Sequence, residues 1–450
     1  MFSKRTLPVL AVLLLFPACS VTPPPQEGIR RSTPEEQGMS SAHLSLIDST
    51  VNTAIAEGTI PGAVVGIVRN GFLVYEKAYG NRALVPEKEP MTVETLFDLA
   101  SVSKCVSTTV AVMQLVEQGK LRLTDPVSRY IPEFLPWQDP RTRRKKAITI
   151  QELLTHASGL DAFLKDVPGY VQRFGAGTPY SLLYYISTEA GRNFEPGTDQ
   201  LYSCFNFIVL QHIVERISGE RLCDYAQRHI FDVLGLRHTC YFPLELQTGD
   251  KHAEEDTPAV AKEKADAPLG VSSSATATAP STAERMEELI ALCAPTEQLE
   301  DGTVLRGQVH DPTARIVNLG NSGNAGVFSD VEDLAMICAA LLDGGSYNGK
   351  RILSPLSVEK MFTVPANNDP KVARALGWDT YYREPYTSGD IFPLEKLRGH
   401  TGYTGTSVLL DPTTRTAVII LSNRVHPSDK GSVGRLRGTV ASIAASAILQ

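Results

Sequence analysis

The stretch Leu99-Ala100-Ser101-Val102-Ser103-Lys104 runs straight into an apolar pattern, Val106, Val110, Met113 and Val116, closed by Gly119. That three- and four-residue spacing predicts a helix. Residues three apart share a helix face, so the Ser101 hydroxyl and the Lys104 amine can meet. Serine is a poor nucleophile until a base takes its proton. A lysine can do so where its surroundings favour the neutral amine, as burial or nearby positive charge would. Alone the pattern is weak, because Ser357 and Lys360 repeat it.

Two later segments strengthen it by their order. Pro196-Gly197-Thr198-Asp199-Gln200-Leu201-Tyr202-Ser203-Cys204 precedes another helical pattern, Phe207 to Ile217, stopped at Gly219. A tyrosine at such a loop-to-helix junction can relay protons. Gly399-His400-Thr401-Gly402-Tyr403-Thr404-Gly405-Thr406 leads into a β-rich run. Its glycines would let an acyl substrate lie against the strand backbone. Read singly, Tyr202 is a packing residue and His400 a turn residue.

Ser-x-x-Lys, then Tyr-Ser-x, then His-Thr-Gly before a terminal strand resembles the serine β-lactamase and penicillin-binding protein superfamily. The likeness is greatest to its class C β-lactamase-like branch of D,D-carboxypeptidases and esterases. Leu153-Leu154-Thr155-His156-Ala157-Ser158-Gly159-Leu160, Leu234-Gly235-Leu236, Val309-His310-Asp311 and Asn324-Ala325-Gly326-Val327-Phe328-Ser329 fit it too, from about Thr33 to about Asn423. By matching position, the resemblance implies that Ser101 attacks a carbonyl and forms an acyl-enzyme. Lys104 and Tyr202 would share the base and proton-relay work. The backbone N–H groups of Ser101 and Tyr403 would form the oxyanion hole. His400 stands where many relatives carry Lys and would orient or attract a substrate carboxylate. Thr401, Gly402 and Cys204 complete the implied substrate-binding set. No metal and no cofactor are expected: there is no H-E-x-x-H, no C-x-x-C, no P-loop and no G-x-S-x-G.

Two positions depart from the pattern. Cys204 occupies the third place of the tyrosine motif, where relatives usually have Asn or Asp. It cannot supply the amide donor that grips an acylamide side chain, which counts against β-lactamase activity. Asn324 stands where close relatives often have His.

Outward from these motifs, Ala63 to Val68 and Phe72 to Ala78 flank Asn70-Gly71, a strong hairpin signal. Leu44, Ile47, Val51 and Ile55 predict a helix ending near Gly58, and Thr149 with Glu152 reads as a capping box. Leu334 to Leu342 predicts another helix. Thr406 to Leu410 and Thr416 to Ser422 read as strands, and Val433 to Leu449 as a closing helix. Strands at both ends and helices between them predict an α+β fold. It has an antiparallel sheet flanked by helices, built from both chain ends, with a mostly helical inserted subdomain. The sheet part is assigned to about 34–100 and 375–450 and the helical part to about 101–374, all within one hydrolase domain at 34–450. Ala253 to Ala283, poor in large apolar residues, reads as a flexible excursion.

The chain has 450 residues and 43 basic against 50 acidic side chains, a net charge of −7 that argues against a nucleic-acid partner. Arg141, Arg143, Arg144, Lys145 and Lys146 form a local basic cluster, read as a solvated loop. No apolar run reaches the ~18 residues of a spanning helix. Lys4, Arg5 and the apolar stretch Leu7 to Phe16, followed by Pro17-Ala18-Cys19, read as a secretory leader at 1–19. Ala18-Cys19 also resembles a lipoprotein cleavage site, which makes Cys19 the expected lipidation residue. Residues 20–33, with Pro23-Pro24-Pro25, form a stiff tether. Cys105, Cys223 and Cys338 sit in apolar helical patterns and are expected to be buried. Cys204, Cys240 and Cys293 are free to pair in an oxidising compartment.

These features together predict an exported serine hydrolase, a periplasmic or cell-envelope lipoprotein acting on the D-alanyl-D-alanine ends of peptidoglycan peptides. A serine esterase or D-amino-acid amidase on small acyl substrates is the main alternative. A β-lactamase and a non-catalytic peptidoglycan binder rank lower, because Cys204 weighs against the first and an intact Ser101–Lys104–Tyr202 set against the second.

Overall fold

The computed structural model describes residues 28–244, 282–366, 369–380 and 387–449. The leader with Cys19, the three tether prolines and all but the last two residues of the Ala253–Ala283 excursion lie outside them.

Asn70 and Gly71 take φ of 53° and 79°, the two left-handed residues that a type I′ hairpin requires. Across that turn β1 (Gly62–Arg69) and β2 (Phe72–Ala83) pair antiparallel, and β3 (Glu89–Pro90) follows on β2. At the far end of the chain β4 (Arg398–Thr401), β5 (Ser407–Asp411) and β6 (Thr416–Ser422) form a meander. β6 joins β1 antiparallel, with Ala63 opposite Ser422 and Arg69 opposite Thr416. The resulting order, β4-β5-β6-β1-β2-β3, is one antiparallel sheet made from both ends of the chain, as the sequence predicted.

The helices that matter for the site are α1 (Ser41–Leu44), α2 (Leu46–Ala56), α3 (Thr109–Glu117), α4 (Ile150–Leu154), α5 (Cys204–Ser218), α6 (Val331–Leu342) and α7 (Gly434–Ser446). Both faces of the sheet are buried, and alternation sorts the side chains between them. Ala63, Val65 and Ile67 pack with Leu44, Val51 and Val440 of α1, α2 and α7. Val64 and Val68 face the larger core, which runs through Leu334 of α6 to Val110, Leu153 and Ile208 of α3, α4 and α5. Fully burying one such aliphatic side chain contributes roughly 1.5–3 kcal/mol, so this shared core holds the helices rigidly against the sheet.

Local chemistry sets the helix ends. The Thr149 hydroxyl accepts the Glu152 N–H at 3.3 Å while the Glu152 carboxylate accepts the Thr149 N–H at 2.7 Å, the expected capping box. Gly219 ends α5 in the left-handed region.

Three details differ from the sequence reading. The helix after Ser101 is not regular from its start: a tight turn at Ala100–Val102 and a wide turn at Lys104–Thr108 precede α3. The Thr109 hydroxyl donates to the Lys104 carbonyl at 2.7 Å within that wide turn, a distortion common at functional sites. α5 begins at Cys204, before its apolar spacing does. The basic cluster is a short hairpin rather than a plain loop: Lys145-Lys146 pairs with Trp137-Gln138, and Arg144 lies over the Trp137 ring and pairs with Glu195.

Cys105, Cys223 and Cys338 are buried in the core, as predicted. Cys204, Cys240 and Cys293 are not paired; every cysteine among the described residues is a free thiol. Among these residues no helix is long and apolar enough to cross a membrane.

Candidate active site

Ser101 stands on a strained turn. Ala100 takes φ of 45° although it carries a Cβ, a conformation that persists only where the surroundings enforce it. The buried Asp98 carboxylate does so, accepting the Ala100 N–H at 2.8 Å and the His310 N–H at 2.7 Å. The Thr404 and Thr406 hydroxyls donate to the carbonyls of Asp98 and Leu99 at 2.7 and 2.9 Å, tying the β4–β5 turn to the serine turn. Gly402 lies so close that a Cβ there would come within 2.5 Å of the Leu99 carbonyl oxygen. Among the described residues, neither the Ser101 nor the Tyr403 backbone N–H donates to a protein acceptor. Both amides are therefore available to a developing oxyanion.

Lys104 is fully buried, and each of its three N–H groups has an acceptor. Nζ lies 2.9 Å from Ser101 Oγ, 2.8 Å from the Asn324 carbonyl oxygen and 3.7 Å from Cys204 Sγ. Burial disfavours the ammonium, but Cys204, Tyr202 and Asp311 outweigh it, and the lysine pKa lies above its ordinary value. That direction keeps the amine charged, so Lys104 donates to Ser101 Oγ and does not meet the condition for acting as the base.

Tyr202 is partly exposed, with Lys104 Nζ 5.0 Å from its ring centre. A buried network places it. His156, at φ of 54°, accepts the Ser203 N–H and the Asn206 side-chain N–H at Nδ1, both at 3.0 Å. Asn206 Oδ1 in turn accepts the Ser158 hydroxyl at 2.6 Å. The His156 ring packs on Tyr202 with centres 4.3 Å apart.

The Gly320–Gly326 loop supplies the Asn324 carbonyl. Gln211 of α5 holds it through the Asn321 carbonyl at 2.8 Å and the Gly323 N–H at 3.0 Å. The Asn324 carbonyl and the Cys204 sulfur each take an N–H of Lys104, so the two departures from the family pattern meet at that amine. Burial pushes the Cys204 thiol above its ordinary pKa, against the pull of Lys104.

His400 departs from expectation in its charge. It is buried to 1 % exposure, and its Nδ1–H donates to the Thr401 carbonyl at 2.8 Å. Burial, reinforced by the charges of Arg374 and Lys104, holds its pKa well below the ordinary value. The imidazole is neutral and cannot attract a carboxylate by charge. Thr401 and Gly402 follow it at the end of β4, the outer strand of the sheet. Ser101, Lys104, Tyr202 and Cys204 thus meet at one place, with the Thr401–Tyr403 backbone beside them, while the His400 side chain turns away from solvent.

Sequence reading gave no role to Asp98, His156 or Arg374. Asp98 had one signal, an acidic residue ending a short apolar run just before Ser101. His156 lay inside a quoted phrase. Arg374 had none.

The beta-lactamase family model matches residues 47–441, and the chain belongs to that family. It is a serine hydrolase. It is similar to a protein of Escherichia coli (strain K12) provisionally named as a D-alanyl-D-alanine carboxypeptidase, 28% identical over 434 residues, covering 94% of this chain and 91% of that one. It is also similar to an N-acetylmuramyl-L-alanine amidase of Bacillus subtilis (strain 168), 29% identical over 406 residues, covering 87% and 83%. Among solved structures it shares its fold with EstCE1, a hydrolase with promiscuous acyltransferase activity (TM-score 0.64, 24% identity, 90% of this chain and 99% of that one). The octameric penicillin-binding protein homologue from Pyrococcus abyssi has the same fold (TM-score 0.59, 22% identity, 90% and 77%).

Proposed function

We propose that this chain cleaves the D-alanyl-D-alanine end of peptidoglycan peptides through an acyl-enzyme on Ser101. The observation that carries the reading is the 2.9 Å contact of Lys104 Nζ with Ser101 Oγ beside two unengaged backbone N–H groups. In this mechanism Ser101 Oγ forms a bond to the substrate carbonyl carbon and its proton passes to the Tyr202 oxygen. Tyr202 takes that proton as a phenolate and becomes the neutral phenol; Lys104, already protonated, stabilises the phenolate before the transfer and holds the serine hydroxyl in position. The carbonyl oxygen becomes an oxyanion between the Ser101 and Tyr403 N–H groups. As the C–N bond breaks, Tyr202 returns the proton to the leaving D-alanine amine. Water then repeats the attack and frees Ser101.

Ester hydrolysis is the second reading, and Cys204 favours it. The position that would present an amide donor to an acylamide side chain presents a thiol bound to Lys104 instead. The test incubates the wild type and Ser101→Ala with an acylated pentapeptide ending in D-alanyl-D-alanine and with a p-nitrophenyl ester. D-Alanine release that Ser101→Ala lacks supports the first reading. Ester cleavage without D-alanine release moves the chain to the second, and neither reaction overturns both.

The leader at 1–19 and Cys19 belong to the same reading, which places the enzyme in the cell envelope by export and a lipid on Cys19. Radiolabelled fatty acid should enter the wild-type chain and not Cys19→Ala; equal labelling would remove Cys19.

A further inference from the structure

Arg374 is 3 % exposed, and its guanidinium carbon lies 5.5 Å from the centre of the Tyr202 ring. Its Nη1 pairs with the Asp379 carboxylate. The segment that carries it is clamped at two places. The Gly377 N–H donates to the Leu154 carbonyl at 2.9 Å and the Asp379 N–H to the Gly399 carbonyl at 2.8 Å. Those contacts fall two residues from His156 and one from His400, so one short segment fixes the cation against both rings that flank Tyr202. A cation over an aromatic face is attracted by the ring's electrons, and more strongly where water is excluded.

We propose that Arg374 is a positioning residue for hydrolysis: anchored by Asp379, its guanidinium backs the Tyr202 ring and stabilises the phenolate that receives the Ser101 proton. The inference rests on the assignment of proton transfer to Tyr202 made above. Among the described residues, Lys104 and Arg374 are the two permanent cations facing the ring. Cys204 is a thiol, and Asp379 is taken up by the guanidinium. His156 and His400 stay neutral, because burial and the charge of Arg374 both disfavour their protonated forms. The proton lost by Ser101 is therefore left to the phenolic oxygen, with no imidazole competing for it.

The test compares Arg374→Met, Arg374→Lys and Asp379→Asn on a p-nitrophenyl ester across pH. It also follows the Tyr202 phenolate by ultraviolet difference titration against Tyr202→Phe in each background. Removing the cation should raise the acid limb of kcat/KM and the phenol titration by about one pH unit. It should lower kcat about tenfold to a hundredfold while KM stays within about twofold. Arg374→Lys should restore most of the limb, and Asp379→Asn, which removes a negative charge, should move it down. An acid limb and phenol titration unchanged in Arg374→Met overturn the proposal, whatever happens to kcat. Should Arg374→Met fail to fold, the Asp379→Asn shift decides, and a limb moving up or staying fixed overturns it. If the wild type cleaves neither the ester nor the D-alanyl-D-alanine peptide, the hydrolytic reading fails, while the phenol titration still decides the role of Arg374.

Discussion

The Asp98 carboxylate accepts the Ala100 N–H at 2.8 Å, and this one contact holds the strained residue before Ser101 in place. Its other oxygen holds the His310 N–H at 2.7 Å. Asp98→Ala leaves both amides buried without acceptors. That should cost about 1–3 kcal/mol of stability in urea titration and lower kcat by about 10²-fold or more as the Ser101 amide moves off the oxyanion position. An Asp98→Ala enzyme with normal kcat would show that the turn needs no anchor.

Gly402→Ala tests the contact on the other side of the same turn. Its Cβ would meet the Leu99 carbonyl oxygen at 2.5 Å and clash with the Thr406 hydroxyl. Relieving the clash must separate the Tyr403 amide from the serine turn. Overpacking of this kind costs about 1–3 kcal/mol, and esterase assays should show a loss larger in kcat than in KM.

The histidines give stability a pH dependence whose sign can be worked out. His156 and His400 have folded pKa values depressed below 6.5. The unfolded chain therefore binds more protons, and the stability from their neutral burial is full above pH 6.5 and lost as pH falls below it. His238 goes the other way. Its bond to Asp330 raises its pKa, so its contribution is present below 6.5 and lost as pH rises through the folded value. Urea titrations across this range should show stability falling toward acid pH. The fall should be shallower in His400→Gln and steeper in His238→Gln; identical slopes in all three would contradict the burial of neutral His400.

Cys204→Asn should restore the amide donor that the site lacks. The ratio of kcat/KM for an acylated D-alanyl-D-alanine peptide to that for an ester should rise about tenfold, the scale of one added hydrogen bond. An unchanged ratio would mean that Cys204 does not set amide selectivity.

The α+β class, the hairpin at Asn70-Gly71, the Thr149 capping box and the meeting of Ser101, Lys104, Tyr202 and Cys204 were all legible in sequence. They follow from period, turn chemistry and motif order, which are local or family-wide signals. The state of each group was not legible. Lys104 keeps its proton because of Tyr202, Cys204 and Asp311, and His400 loses its charge because tertiary packing buries it beside Arg374. Asp98 and Arg374 work through a backbone amide and a ring face, contacts that no spacing rule encodes. The partial exposure of Tyr202 against the complete burial of Lys104 is likewise a product of packing alone.

The central claim is that Ser101 carries the acyl group. Intact-mass and peptide mass spectrometry of enzyme quenched during reaction with a fluorescent penicillin and with a p-nitrophenyl ester tests it most directly. The account predicts one acyl adduct on the peptide containing Ser101 with at least one of the two reagents, and none on Ser101→Ala. An adduct of equal yield on Ser101→Ala, or one mapped to Cys204, would contradict it.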